Sequence, residues 1–547
     1  MKRILAGALV ILPLCGAPAI NPNGIVNAAS YRPAGIPGSA VARGSLATAF
    51  GAGLGPATGV EARSFPLQTT LAGVSVRLTL GATSVSGIPL FVFAGQVNFI
   101  VPSNAPLGAV QVTITFNNET SPPVIVQVVA TSLGLFRLGG GVAVVQNFVS
   151  GSERPLNTLA NSARPGQVVI AYATGLGAIT APEIQPPPVG EVNGPVEILV
   201  GGRPANKLYA GRSPCCAGLD EIDFELAPDT PTGCYVPVVV RAGEFYSNVA
   251  TISVARDGGA CSDPQNLFTS LLSGGGTRSL GAVELTRIAI RITLFGLNID
   301  STLDSASASF FRADERFYSG FLSLPPMNSC SVYSLSFDFD DLDLTPFGVS
   351  ATLLDAGPSL RLTGPNGART LPRDPFSTYD TDLGGGLALP GLPPPPPLYL
   401  SPGNYTVSGS GGPDIGAFTA DLNIPTALTW RNRDEITEVI RSRPLTITWA
   451  GGNPSRELSL VAGFSADSEL ASLGAFVCVA SISAGSFTVP DWVLASLPVT
   501  GSESGVPIGM LMLINSSVAN ATTFTAPRLD LGLFYYNLVT ARLLAFR

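Results

Sequence analysis

Two stretches of this chain repeat one another about 125 residues apart. FGAGLG at Phe50–Gly55 returns as YATGLG at Tyr172–Gly177. Downstream, AGQVNFIVPSNAPLGAVQVTI from Ala94 is echoed by AGLDEIDFELAPDTPTGCYVPVVV from Ala217. Each copy reads as an alternating strand, a turn containing proline, a glycine, and a second alternating strand. Two copies of one β module therefore occupy about residues 24–255, divided as 24–140 and 141–256.

Within the copies, Val74–Leu80, Val110–Phe116 and Val196–Val200 alternate apolar and polar residues with period two between Gly, Pro and Asn turns, as half-buried antiparallel strands do. The 61 glycines and 47 prolines make up about a fifth of the 547 residues, against about an eighth in an average chain. Turns are frequent and long helices scarce. With 46% hydrophobic residues spread throughout, the chain can still bury enough to fold. About seven strands per copy fit an immunoglobulin-like sandwich, and the fold class expected is all-β: tandem immunoglobulin-like β-sandwiches followed by a further β-sandwich region.

GIVNAASY at 24–31, TTLAGVSV at 69–76, PLFVFAGQVNFIVP at 89–102 and RPGQVVIAYATGLG at 164–177 carry a specific resemblance. Together they resemble a secreted repeat module abundant in acidobacterial proteins, an uncharacterised domain similar to the IPT/TIG immunoglobulin-like fold. The resemblance covers about 230 residues. It implies an extracellular β-sandwich and assigns neither an activity nor catalytic residues. This chain departs from the commoner pattern by inserting Ser39–Arg43 before the first conserved strand and by carrying Cys215, Cys216, Cys234 and Cys261.

The first nineteen residues place Lys2 and Arg3 ahead of an apolar run from Ile4 to Leu14, then small residues at Ala17 and Ala19. That is the pattern of a secretory signal peptide cleaved after Ala19. Lipidation at Cys15 competes, but the preceding Leu14 is larger than an acylation site favours. No later apolar run is long enough for a membrane-spanning helix, so a secreted, extracellular or cell-surface protein without a transmembrane segment is expected. Net charge is −8, and lysine occurs only at Lys2 and Lys207. No basic stripe exists to neutralise phosphates, which excludes nucleic acid as a natural partner.

The repeat signature stops near Cys261. Beyond it, strand-like segments recur at Ser334–Leu344, Ser359–Leu362, Asn404–Ser408, Leu445–Trp449, Leu458–Val461, Phe476–Val479 and Met510–Ile514, while Asp491–Leu497 reads as a short helix after Pro490. The five prolines Pro393–Pro397, preceded by LGGGLALPGL, place a long loop near 383–397. A division near residue 430 gives two β-rich units, 262–430 and 431–547.

Histidine is absent, which excludes a Ser-His-Asp triad, a Cys-His dyad and the usual zinc sites. Lys207 lies in GGRPANKLY with no nucleophile motif beside it. The acidic run Asp338, Asp340, Asp341 and Asp343 reads first as a solvated strand face, and alternatively as a calcium site, the one cofactor considered; a catalytic carboxylate pair is the third reading. In DEIDFE at Asp220–Glu225, Ile222 and Phe224 take the core side while Glu221, Asp223 and Glu225 take the solvent side. GPNG at Gly364–Gly367 lacks the lysine and helix of a phosphate loop and reads as a turn. Trp430, Trp449 and Trp492 are candidates for stacking on sugars, or are core residues.

The six cysteines beyond the leader form an even set suited to an exported disulfide framework. Cys330 and Cys478 lie far from the other four and pair with each other. In a hairpin arrangement Cys234 pairs with Cys261, leaving Cys215 with Cys216; the competing arrangement folds the preceding loop back so that both reach Cys234 and Cys261. Two functions remain. One is a non-catalytic exported protein whose sandwiches bind or display an extracellular polymer or protein ligand. The other is a secreted carboxylate-dependent hydrolase or lyase acting on polysaccharide through the C-terminal half.

Overall fold

The computed structural model describes residues 17–138, 141–187, 190–192, 194–264, 276–294, 297–313, 324–335, 351–387, 393–470, 472–503 and 505–547. The described chain is all-β. Its first sheet runs Ala19–Asn27, Leu46–Ala52, Gln96–Ile100, Thr83–Phe93, Val74–Leu80, Gly108–Phe116, Val124–Val129. The insertion at Ser39–Arg43 supplies Val41–Ala42, which pairs in parallel with Val128–Val129 and is fully buried. The first strand begins at Ala19, five residues ahead of the boundary expected at Gly24.

One strand gives the repeat its sandwich form. The first half of Thr83–Phe93 pairs with Val74–Leu80 and its second half with Gln96–Ile100, so it passes from one layer to the other. Gly87 sits at the crossing, where a Cβ would press on Phe99 at 3.0 Å and Val76 at 3.1 Å. Alternation fills the space between the layers with Val74, Val76, Leu78, Val97, Phe99, Val110, Val112 and Ile114.

The second sheet repeats this order: Gly134–Leu135, Val168–Thr174, Asp220–Glu225, Arg203–Arg212, Val196–Val200, Gly233–Ala242. Arg203–Arg212 is again the shared strand, pairing through Arg203–Ala205 with Val196–Val200 and from Asn206 on with Asp220–Glu225, with a register shift between Lys207 and Tyr209 inside the second pairing. The duplication read from sequence is thus a duplication of topology.

Beyond residue 278 the division near 430 is overturned. A single ten-stranded sheet contains Cys330–Leu335, Leu473–Ser481, Leu458–Ala466, Gly509–Ser516, Leu529–Leu543, Arg278–Leu294 and Leu297–Ala313 as successive neighbours, with Thr378–Leu387 beyond. Leu529–Leu543 pairs in parallel with Arg278–Leu294, so strands from both proposed units interleave. Two smaller sheets cover this long one. A four-stranded sheet of Gly367–Pro372, Ser359–Gly364, Gly403–Gly409 and Phe418–Ile424 closes a core of Phe310, Leu360, Tyr379, Tyr405, Phe418 and Phe534. The strands Thr429–Trp430, Leu445–Ala450 and Ser486–Val489, with the helix Asp491–Ala495, close another around Trp430, Trp449, Val461, Phe476, Trp492 and Phe546. The loop expected from 383 starts later, because strand Thr378–Leu387 continues through Gly384–Gly386. The proline segment lies against it, with Gly385 donating its N–H to the carbonyl of Pro396.

Candidate functional site

The six cysteines form three disulfides: Cys215–Cys216, Cys234–Cys261 and Cys330–Cys478. Cys330 and Cys478 are register partners on adjacent strands, so their bond ties neighbours within one sheet and does not join two domains. Cys234–Cys261 fastens a strand of the second repeat to the segment that follows it. Cys215 and Cys216 occupy an exposed loop whose next turn, at Gly218, is packed against Leu46 and Ile100 of the first repeat.

Directly behind that loop is a charge pair that the sequence reading passed over. Arg212 and Asp220 are cross-strand partners with 1% and 0% of their side chains exposed. Arg212 donates to the Asp220 carboxylate, to the carbonyl of Gly44 in the first repeat at 2.7 Å and to that of Gly177 in the second at 2.6 Å. The other Asp220 oxygen accepts the N–H groups of Gly175 and Leu176, at 2.7 and 2.8 Å. Burial pulls Arg212 down to about 10, with Glu183 and Tyr209 opposing, so it stays charged at neutral pH. This is a clamp between the repeats with every oxygen of the pair engaged. The signal was Asp220 sharing the inward parity of Ile222 and Phe224.

The remaining sequence candidates divide clearly. Asp338, Asp340, Asp341 and Asp343 lie outside the described residues. Among the described residues no group of three or more Cys, Asp or Glu is placed to hold a metal. Trp430, Trp449 and Trp492 are 6%, 3% and 3% exposed and belong to the core, which removes them as a sugar platform. Gly364–Gly367 is the hairpin turn between two strands of the four-stranded sheet. On the outer side of Asp220–Glu225, burial beside Glu221 pushes Asp223 up to about 6, with Arg154 opposing.

Several described carboxylates of the C-terminal region are held by structural partners. Asp304 receives Arg287 and the N–H of Leu400. Glu284 receives Thr286, Asn537 and the Tyr535 hydroxyl. Glu457 receives the Tyr536 hydroxyl, and burial beside that carboxylate holds the phenol protonated far above its ordinary range.

What the fold offers is a cleft of about 800 Å³ on the outer face of the four-stranded sheet. Strict alternation builds it. Leu360, Leu362, Tyr405, Val407, Phe418, Ala420 and Leu422 turn inward, leaving short polar side chains outside. Thr370, Arg361, Ser408 and Thr419 stand in one cross-strand row, with Ala368, Thr363, Thr406 and Asp421 in the next. Ser359, Ser410, Ala417 and Thr525 complete the rim. Four strands at about 4.8 Å spacing make each row about 14 Å long. The lining holds hydroxyls and one guanidinium beside the apolar Leu360, Ala417 and Phe418, and no carboxylate. Arg361 is exposed, and its side chain makes no hydrogen bond or ion pair with the described residues. The sequence signal was present in NYTVSG and FTADLNI, whose outward positions are Asn, Thr, Ser and Asp where an ordinary solvent face mixes in Lys and Glu.

No protein-family model matches the chain, and no curated protein matches it either. Among solved structures it has a faint likeness to a Gamma-CGTase from alkalophilic Bacillus clarkii, at 11% identity and a TM-score of 0.15, covering 49% of this chain and 34% of that one, about a third of its length. SGBP-B from a complex xyloglucan utilization locus in Bacteroides uniformis matches at 10% identity and a TM-score of 0.16, over 67% of this chain and 86% of that one. Domains 4–9 of the surface layer protein SbsC match at 10% identity and a TM-score of 0.15, over 95% and 82%. Likeness at this level carries no argument about ligand or activity.

Proposed function

We propose that the chain is an exported, non-catalytic protein that binds an extended extracellular polymer across the outer face of the four-stranded sheet. The observation that carries this reading is the cleft itself: the cross-strand row Thr370, Arg361, Ser408 and Thr419, laid along about 14 Å with Ser359, Ser410 and Thr525 beside it, meets a repeating polar chain at several points. Three disulfides suit an oxidising compartment, and no helix among the described residues is long and apolar enough to cross a membrane. A hydrolase or lyase working through paired carboxylates has no support in a cleft lined by no acid.

The test is a binding screen of the full chain against soluble polysaccharides and matrix polymers by calorimetry, with Ser408→Trp filling the middle of the row. Binding that Ser408→Trp abolishes while the melting temperature holds supports the reading. Binding that survives Ser408→Trp moves the site elsewhere, and release of shortened product from any bound polymer replaces binding with hydrolysis.

A further inference from the structure

We infer that the cleft takes a polymer carrying carboxylate groups, a uronate-type polysaccharide, with Arg361 as the residue that reads the charge; this rests on the polymer-binding reading above. The position of Arg361 is the first reason. It stands on the second of four strands, flanked in its own row by Thr370 and Ser408 and completed by Thr419, so hydroxyl groups surround the guanidinium on both sides. Those side chains are too short to shield it, and the residue is exposed. A guanidinium presents five N–H donors in a planar fork that matches a carboxylate with two parallel hydrogen bonds.

The second reason is what the cleft lacks. The chain carries 38 acidic residues against 30 basic ones, and some exposed arginines meet carboxylates, as in Arg203–Asp229, Arg373–Asp355 and Arg547–Glu438. Around Arg361 the lining holds no acid. Asp421 lies one row and two strands away, and its carboxylate already accepts the Thr406 hydroxyl at 2.5 Å. With no ionic partner among the described residues and hydroxyls on both sides of it in its row, Arg361 is arranged for an anion that also offers hydroxyls of its own. The same absence of acid keeps the floor from repelling a chain of carboxylates.

The experiment compares the full chain and Arg361→Ala, Arg361→Lys and Ser408→Trp variants on three probes: polygalacturonate, dextran sulfate and neutral dextran, at low and high salt. Arg361 is exposed and its side chain has no hydrogen-bond or ionic partner among the described residues, so its variants should melt with the parent. We expect polygalacturonate to bind, Arg361→Ala to weaken it about tenfold or more, Arg361→Lys to recover only part of the loss, and salt to weaken it further. Neutral dextran binding as tightly, blocked by Ser408→Trp but indifferent to Arg361→Ala, would keep the cleft and overturn the anion. Tighter binding of dextran sulfate than of polygalacturonate would overturn the carboxylate assignment. Binding of none of the three, with every variant folded, overturns this inference.

Discussion

Arg212 and Asp220 face each other across adjacent strands of the second repeat, wholly out of solvent, and the guanidinium reaches past its partner to the carbonyl of Gly44 in the first repeat. A buried pair is a poor source of net stability, because desolvation offsets most of the attraction, but losing one partner strands the other charge at a cost of about 3 to 5 kcal/mol. Arg212→Met and Asp220→Asn should each destabilise by about that much in denaturant titration. The double variant should cost clearly less than their sum. Strict additivity would show that the two side chains act independently.

The three disulfides should differ sharply in what they contribute. In the chain-entropy model the 148-residue separation of Cys330–Cys478 is worth about 5 kcal/mol and the 27-residue separation of Cys234–Cys261 about 3 to 4 kcal/mol. Adjacent cysteines close no loop of consequence. Paired serine substitutions should therefore rank Cys330/Cys478 first, Cys234/Cys261 second, and Cys215/Cys216 near the parent in melting temperature. A large loss from the adjacent pair would mean that its loop holds the two repeats together.

Asp223 gives a pH dependence of unusual sign. In the unfolded chain an aspartate titrates near 3.9, whereas burial beside Glu221 pushes it up to about 6 in the fold. The folded state therefore holds the proton more tightly, so stability from this group is full below about 4 and is lost as pH rises through 6. Because the side chain is only part-buried, solvent screening leaves an effect on the order of 1 kcal/mol. Asp223→Asn should raise the melting temperature at pH 8 and leave it unchanged at pH 4. An equal rise at both values would assign the gain to something other than titration.

Gly175, in the second copy of the repeated motif, is held at φ +114°, and a Cβ there would lie 1.9 Å from the carbonyl oxygen of Ser132. Gly202 also has positive φ, at +77°, but nothing lies within 4 Å of its Cβ direction. Gly175→Ala should lose well over 2 kcal/mol through backbone strain and displacement of Ser132, and Gly202→Ala about 1 kcal/mol through strain alone. Similar losses at the two positions would show that conformation, not the close approach, fixes the glycine.

Which parts were legible follows from how local each feature is. Val74–Leu80 and Val196–Val200 were readable to the residue because one face of each is buried and the alternation is complete. Arg278–Leu294 and Leu297–Ala313 escaped notice. From Thr286 to Ile292 the first of them buries no residue on either face, and the second fills its middle with Ser301, Ser305, Ser307 and Ser309, so the apolar period fades. The false boundary near 430 has a different cause: no local pattern announces that Leu529–Leu543 slots between strands made of much earlier residues. For the cleft, each strand's outward Ser, Thr and Asn set could be read, while the row that places Arg361 between Thr370 and Ser408 depends on which strands are neighbours. Asp220 was hidden by its sequence context, since a carboxylate among three others looks like surface.

That interleaving also sets an order of events during synthesis. Each repeat finds its partner strands nearby in the chain, so it is able to close while translation continues. The large C-terminal sheet is different: Ser279 donates its N–H to Asp530, 251 residues later, and the strand that holds Asp530, Leu529–Leu543, is the bridge between Gly509–Ser516 and Arg278–Leu294. Until that bridge emerges, the two halves of the sheet present open edges to whatever is near. A chain of this design carries its C-terminal half unfinished until late in synthesis, and a chaperone that shields strand edges would matter most for residues 278–528, after both repeats have already folded.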